Sequence, residues 1–123
     1  MVNVCAVLKT NVHEKSIQKD FLSKFSDFLV TLTGADLKNI TLELYTDVTM
    51  MRAGTTAPML NIDFVHNSPQ IDQTSKYEYA NKITQFICIH LHIPEDRLQQ
   101  KVDDELHYIN NSQTKIHRTN RTW

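Results

Sequence analysis

The sequence predicts a single α+β domain in which a β-α-β unit occurs twice, giving a four-stranded mixed sheet with two helices on one face. The first reason is the order of the predicted elements: strand, helix, strand, strand, helix, strand. The second is that the two halves align at a shift of 79 − 21 = 58 positions, which pairs Phe21 with Tyr79 and Ile40 with Leu98. The third is the length of 123 residues, which suits one compact domain. We therefore expect a pseudo-twofold domain with right-handed crossovers.

The first unit begins with a nearly unbroken apolar run from Val2 to Leu8, which predicts a strand covered on both faces. A helix is predicted to begin at Ser16 or a neighbouring residue and to end at Gly34, a residue suited to a left-handed cap. Alternation of apolar and polar residues over 40–45 then predicts a strand with one polar face. The apolar residues of the helix follow helical spacing and are Phe21, Leu22, Phe25, Phe28, Leu29 and Leu32.

The second unit begins after Pro58, where residues 60–65 alternate between apolar and polar side chains and predict a third strand. Ser75 and Glu78 have the spacing of a capping box, in which both side chains satisfy unpaired backbone N–H groups at a helix start. This helix is expected to end before Pro94. Residues 98–102 predict a fourth strand. We place one domain at residues 1–108 and a polar C-terminal tail at residues 109–123.

Composition excludes several classes of function. Thirteen basic and fourteen acidic side chains give a net charge of −1, too balanced to indicate a nucleic-acid partner or electrostatic attachment to a membrane. No apolar run approaches the roughly 18 residues of a membrane span, so no membrane insertion is expected. Cys5 and Cys88 belong to no closely spaced Cys/His set, and we expect neither a metal nor another cofactor.

A series of short motifs runs along the chain from residue 4 to about residue 104. In order, they are Thr10-Asn11-Val12, Phe21-Leu22-Ser23, Thr33-Gly34, Met50, Gly54, Pro58, Tyr79 and Pro94-Glu95-Asp96-Arg97. With this order and spacing the chain resembles the macrophage migration inhibitory factor (MIF) and D-dopachrome tautomerase family, as a divergent member. The resemblance implies a MIF-like homotrimer of double β-α-β subunits around a solvent channel, with an active pocket at each subunit interface. It also implies proton transfer by an exposed N-terminal proline whose amine has a lowered pKa.

The position of that proline is held by another residue here. The family's proline stands six positions before the threonine of Thr10-Asn11-Val12, and this position is Val4. The nitrogen of Val4 is a peptide amide with no usable basicity. If Met1 is removed, the amine belongs to Val2, which two extended residues displace by roughly 7 Å from the family position. That amine is primary, with an ordinary pKa of about 7.7–8.0.

Other pocket positions differ as well. Ala35 stands where the family has a lysine after Thr-Gly, and Asn67 stands where it has an isoleucine. Gln99 and Lys101 replace the tyrosine and asparagine that the strand after Asp-Arg contributes. We therefore predict no catalytic residue and a degenerate pocket at Val4 and these four positions.

These differences favour a cytokine-like binding or immune-modulating protein without tautomerase activity. Its expected partners are two further copies of the chain and a cell-surface receptor or other protein. It is expected in the cytoplasm, outside the cell by export without a signal peptide, or in both places. One alternative is a tautomerase that uses the Val2 amine or Lys101. Another is an unrelated ferredoxin-like binding module, although RNA binding by that fold needs exposed aromatic side chains on the central strands, where only Tyr45 qualifies.

Overall fold

The computed structural model describes residues 1–104, which form four strands and two α-helices in the predicted order. Two short 3₁₀ turns at Leu37–Asn39 and Glu95–Arg97 directly precede the second and fourth strands, at equivalent places in the two units. The domain boundary at residue 108 and the tail at 109–123 lie outside the described residues. The elements are β1 (Val4–Thr10), α1 (Phe21–Thr33), β2 (Ile40–Tyr45), β3 (Leu60–His66), α2 (Lys76–Leu91) and β4 (Leu98–Asp104).

The sheet has the strand order β2-β1-β3-β4. β1 is parallel to β2, and β3 is parallel to β4, because each pair is joined by a helix that crosses over one face. The central pair, β1 and β3, is antiparallel, with Val4 opposite His66 and Thr10 opposite Leu60. The two β-α-β units are therefore related by a pseudo-twofold axis between β1 and β3, which confirms the predicted fold.

The core lies between the sheet and the two helices. Alternate residues of β1 and β3 face the helices and are buried, while their neighbours face the other side. Five rings from both helices form a continuous aromatic cluster, in which Phe21 stacks on Phe25. Phe86 lies at its centre, 5.6 Å from Phe25, 4.5 Å from Phe28 and 4.0 Å from the His90 ring. The largest fully buried apolar side chains are Phe21, Phe25, Phe64, Leu8, Leu29, Met59, Leu60, Ile62, Ile83 and Ile87.

The first helix begins later than the sequence predicted. Residues 14–16 form a separate 3₁₀ turn, in which the His13 ring accepts a hydrogen bond from the backbone N–H of Lys15 at 3.0 Å. α1 begins only at Phe21, so the prediction of a start near Ser16 was wrong by about one turn. Its predicted end is confirmed, because Gly34 is the C-cap with φ = 79° and donates its N–H to the carbonyl of Val30.

The predicted capping box at Ser75 and Glu78 is also wrong. Ser75 makes no capping hydrogen bond to α2; its hydroxyl donates to the carbonyl of Gln70 instead, at 3.0 Å. The Asp72 carboxylate accepts hydrogen bonds from the N–H groups of Thr74 and Ser75, each at 2.9 Å, and so forms the turn itself. These bonds lower the pKa of Asp72, chiefly through Ser75. An aspartate three residues before the serine therefore displaced the expected motif.

The loop between β2 and β3 is held by polar side chains rather than by a core. Arg97 donates hydrogen bonds to the carbonyls of Arg52 at 3.0 Å, Thr55 at 3.1 Å and Ala57 at 2.9 Å. Arg52 donates to the Asn61 side chain at 2.8 Å. Partial burial, followed by the nearby charge of Arg97, lowers the pKa of Arg52. Arg97 therefore holds the part of the loop that leads into β3.

The Thr10-Asn11 pair has a structural role in the same region. The buried Thr10 hydroxyl donates to the carbonyl of Met59 at 2.7 Å, and the Asn11 side chain accepts from the N–H of Met59 at 2.9 Å. These bonds join the end of β1 to the residue before β3. Thr10 and Asn11 thus fix one end of the central antiparallel pair, where β1 ends and β3 begins.

Candidate functional site

Val4 is the first residue of β1, and its side chain is 2% exposed because it points into the core. On β1 it pairs with Ile40 of β2 and His66 of β3, so it lies inside the sheet. A pocket of about 240 Å³ opens beside it, which we call the Val4 pocket. The residues lining this pocket are Asn3, Val4, Cys5, Lys38, Asn39, Thr41 and Val65. One of the five predicted positions therefore lines it.

The side chain of Asn67 is hydrogen-bonded to the segment that precedes Val4. Its side-chain oxygen accepts the N–H of Asn3 at 2.6 Å, and its side-chain nitrogen donates to the carbonyl of Met1 at 3.1 Å. Its backbone N–H donates to the carbonyl of Asn3 at 3.3 Å. Residues 1–3 therefore continue past Val4 and are held in place by Asn67, a contact that its position in the sequence does not indicate.

Ala35 contributes no polar group to the pocket. It is buried, and its backbone N–H donates to the hydroxyl of Thr33 at 3.2 Å within the helix-ending turn. The Val4 pocket is instead lined by Lys38, a cation three residues after Ala35. Its side chain is exposed and lies in the 3₁₀ turn before β2. Sequence alignment by position missed Lys38 because it lies three residues beyond the place where a lysine was expected.

Gln99 and Lys101 lie far from Val4 within this chain. Both are on β4, two strands away from β1, where Gln99 pairs with Asn61 and Lys101 pairs with Asp63. With strands about 4.8 Å apart and a rise of about 3.3 Å per residue, this register separates their Cα atoms from Val4 by roughly 19 Å and 14 Å. Their side chains face the side of the sheet opposite the helices. The fold therefore does not bring these two residues to the Val4 pocket of the same subunit.

The chemistry of the Val4 pocket is that of a small polar site. Side-chain amides of Asn3 and Asn39, the hydroxyl of Thr41 and the ammonium of Lys38 supply hydrogen-bond donors and acceptors. Burial, and secondarily the charge of Glu43, raises the pKa of the Cys5 thiol, which disfavours the nucleophilic thiolate. The described residues lining the pocket include no histidine or carboxylate that can act as a general base.

Within residues 1–104, no three His, Cys, Asp or Glu side chains are grouped so as to hold a metal ion. Neither α-helix in this part of the chain combines the length and apolar character needed to cross a membrane.

The sequence model of macrophage migration inhibitory factor matches residues 4–113, which is most of the chain. The chain belongs to the macrophage migration inhibitory factor family. This confirms the resemblance inferred from the ordered motifs and excludes the interpretation of the chain as an unrelated ferredoxin-like module. The matched region begins at Val4.

Solved structures of MIF proteins share the fold at low sequence identity. The MIF of Trichinella spiralis has a TM-score of 0.76 and 19% identity, over 81% of this chain and 88% of that one. The MIF of Oncomelania hupensis has a TM-score of 0.71 and 18% identity, over 81% and 70%. A MIF homologue from Prochlorococcus marinus has a TM-score of 0.69 and 21% identity, over 80% and 85%. No curated protein sequence matched the chain. At these identities the structural likeness establishes the fold alone.

Proposed function

We propose that this member of the MIF family is a binding protein of the cytokine-like, immune-modulating kind that does not catalyse tautomerisation through an N-terminal proline. One observation carries the proposal: Val4, which the spacing to Thr10-Asn11-Val12 aligns with the family's proline, lies within the sheet, and its nitrogen is a peptide amide. An amide nitrogen has its lone pair delocalised into the carbonyl and cannot accept and return a proton near neutral pH.

The contacts of Asn67 add support. A family-like active site needs an exposed amine at the mouth of the pocket, and here residues 1–3 continue past that point. They are held by the hydrogen bonds between Asn67 and the backbone of Met1 and Asn3. Processing that left Val4 at the N-terminus would break all of these bonds. These contacts support the proposal that the segment is retained.

The remaining pocket positions favour the same conclusion. Ala35 has no charged group to orient an anionic substrate, and Lys38 lies on an exposed turn instead. Gln99 and Lys101 are too distant to act on the same subunit's Val4 pocket, so in a family-like trimer they reach only a neighbouring subunit's pocket. Neither supplies the phenol that the family's tyrosine supplies.

We further propose a homotrimer as the working form. Support comes from β2, the edge strand beside β1, whose inward-facing residues Ile40, Leu42 and Leu44 are only half-buried in the single chain. Unpaired backbone groups and uncovered apolar side chains at a strand edge favour association. Light scattering at micromolar concentration is expected to give three times the chain mass, and a monomer would contradict this part of the proposal.

The proposed partner outside the trimer is a cell-surface receptor or another protein. Exposed apolar side chains at Leu37, Tyr45 and Met51 provide contact surface near the β2 edge and the following loop. The proposed site of action is the cytoplasm, the extracellular space, or both, reached by export without a signal peptide. Surface plasmon resonance of the purified protein against receptors of active family members tests this directly.

Activity assays test the loss of catalysis. The protein, with its N-terminal residue determined by mass spectrometry, is assayed on phenylpyruvate and D-dopachrome beside a family member that has the N-terminal proline. We expect turnover at the uncatalysed rate. Turnover comparable to the active relative would overturn the proposal, and its loss on Lys101→Gln or on acetylation of the N-terminal amine would then identify the base.

A second variant separates the terminus from the pocket. Residues 2–4 are replaced by a single proline after Met1, so that removal of the methionine exposes a proline amine at the family position. If this variant gains activity, the terminus alone had abolished catalysis. If it stays inactive while folded, the changes at Ala35, Asn67, Gln99 and Lys101 are sufficient.

A further inference from the structure

The sheet face opposite the helices carries a group of cationic and amide side chains near the end of β1. Lys9 on β1 and Asn61 on β3 are direct partners in the antiparallel pair. The residues before them in the chain, Leu8 and Leu60, are buried towards the helices. The two side chains therefore lie next to each other on the opposite face, with Cβ atoms about 5 Å apart. The guanidinium of Arg52, from the loop between β2 and β3, donates a hydrogen bond to the Asn61 side-chain oxygen at 2.8 Å. We call Lys9, Arg52 and Asn61 the donor cluster.

The charge of Arg52 is not balanced by a neighbouring carboxylate. Arg52 is half-buried, and its side chain donates to the neutral amide of Asn61. Within residues 1–104, no ion pair joins Arg52 to an acidic side chain. Partial burial, followed by the charge of the nearby Arg97, lowers the pKa of Arg52. Both effects disfavour the charged guanidinium, and a bound anion would offset both of them.

Lys9 supplies a second cation that can turn towards a ligand. It is exposed, and it takes part in none of the ion pairs in the described part of the chain. Its ammonium lies 6.0 Å from the centre of the Tyr45 ring, at the outer limit of a cation–π contact. The carboxylates of Glu43 and Asp63 belong to the next row of side chains, about 7 Å further along the strands. Lys9 can therefore reorient towards the donor cluster at little cost.

We infer that the donor cluster binds a phosphate-type dianion between Arg52 and Lys9, with the side-chain amide nitrogen of Asn61 as a third donor. A planar guanidinium can donate to two oxygens of a tetrahedral oxyanion at once. Two cations attract a dianion more strongly than a monoanion of similar size. Lys9 lies five positions along β1 from Val4, roughly 17 Å away. The site is therefore separate from the Val4 pocket and goes beyond the proposed function.

Anion titrations test the inference on the full-length protein. Inorganic phosphate, sulfate and nitrate are added at pH 8, with the ionic strength held constant by sodium chloride. Binding is followed in ¹⁵N–¹H spectra that include the Asn61 side-chain amide and the Arg52 Nε–H. Phosphate and sulfate should give saturable shifts at the donor cluster, with dissociation constants on the order of 1 mM. Nitrate carries one charge and should bind at least about tenfold more weakly.

Variants of the cluster locate the site. Asn61→Asp places a carboxylate beside Arg52, so it should pair with the guanidinium and weaken phosphate binding more than about tenfold. Arg52→Gln should weaken binding about tenfold, while Arg52→Lys keeps the charge and should lose less. Lys24→Gln is the matched control, because Lys24 is exposed on α1, on the other side of the sheet, and should bind phosphate like the unaltered protein. Circular dichroism checks that each variant remains folded.

Four outcomes would overturn the inference. The first is equal binding of phosphate and nitrate, and the second is unchanged phosphate binding in folded Asn61→Asp. The third is binding that is lost with Lys38→Gln instead, because this would place the anion in the Val4 pocket. The fourth is a set of resonance shifts at Arg52 that follow protein concentration and not phosphate, since these would assign the partner of Arg52 to another copy of the chain.

Discussion

Asn67→Ala should destabilise the protein only when residues 1–3 are present. The substitution removes the acceptor for the Asn3 N–H at 2.6 Å and the donor to the Met1 carbonyl at 3.1 Å. Each hydrogen bond contributes about 0.5–1.5 kcal/mol to net stability, and the second is exposed, so the combined loss should be about 1–2 kcal/mol. The backbone bond from Asn67 to Asn3 is retained and limits the effect.

A double-mutant cycle isolates this interaction. Asn67→Ala is made in the full chain and in a chain cleaved from a fusion so that it begins at Val4, and urea unfolding is followed by far-UV circular dichroism. In the shortened chain the substitution should cost less by the same 1–2 kcal/mol. Asn81→Ala, an exposed asparagine on α2, is the control and should show no coupling to the truncation.

Hydrogen exchange gives an independent measurement of the same contact. The amide of Asn3 should exchange slowly in the unaltered protein and much faster in Asn67→Ala, while core amides of β1 remain protected. A coupling energy below about 0.5 kcal/mol, within the range in which independent changes add, would refute the reasoning. So would fast exchange of the Asn3 amide in the unaltered protein, because the segment before Val4 would then not be held by Asn67.

Three further predictions concern the fold. Phe25→Ala should lower the free energy of unfolding by about 3–5 kcal/mol in urea, because Phe25 is fully buried, and half-buried Phe28→Ala should cost clearly less; equal losses would contradict this. Arg97→Lys should speed proteolytic cleavage within residues 52–58, because lysine cannot reproduce the planar donor set to three carbonyls, and an unchanged rate would count against that role. Burial, aided by Glu95, raises the pKa of Cys88 to about 11. Iodoacetamide should therefore alkylate Cys88 at pH 8 more than tenfold more slowly than a free peptide thiol, with the rate rising towards pH 11 as the thiolate forms.

The fold could be predicted from the sequence because the spacing of apolar residues and the repeat of the β-α-β unit indicate the same order of strands and helices. Alternating residues of β1 and β3, the helical spacing in α1 and the cap at Gly34 each depend on local chemistry that the sequence displays. The start of α1 and the cap of α2 were wrong for a local reason as well. In each case a neighbouring side chain, His13 or Asp72, forms a competing turn whose hydrogen bonds the simple pattern does not include.

The candidate site was less predictable, since it depends on contacts between residues distant in sequence. Asn67 lies 64 positions from Asn3, and no pattern in either segment indicates that they are paired. The three carbonyls that Arg97 contacts are 40–45 positions away from it, so its role in holding the loop could not be inferred either. Lys38 was missed because alignment by position considers only Ala35 as the equivalent of the family's lysine. A pocket can be lined by a lysine from any turn close to it in space.

The five positions at which we propose departures from the family pattern are not five independent observations. Val4 and Asn67 belong together: the Asn67 side chain accepts from the N–H of Asn3 and donates to the carbonyl of Met1, and an isoleucine side chain at position 67 would make neither bond. Gln99 and Lys101 lie on one strand and act on a pocket only through assembly, so their effect depends on the trimer. The proposed function therefore depends mainly on Val4, whose nitrogen is a peptide amide. The contacts of Asn67 support the same proposal, because they hold the segment that precedes Val4 in place.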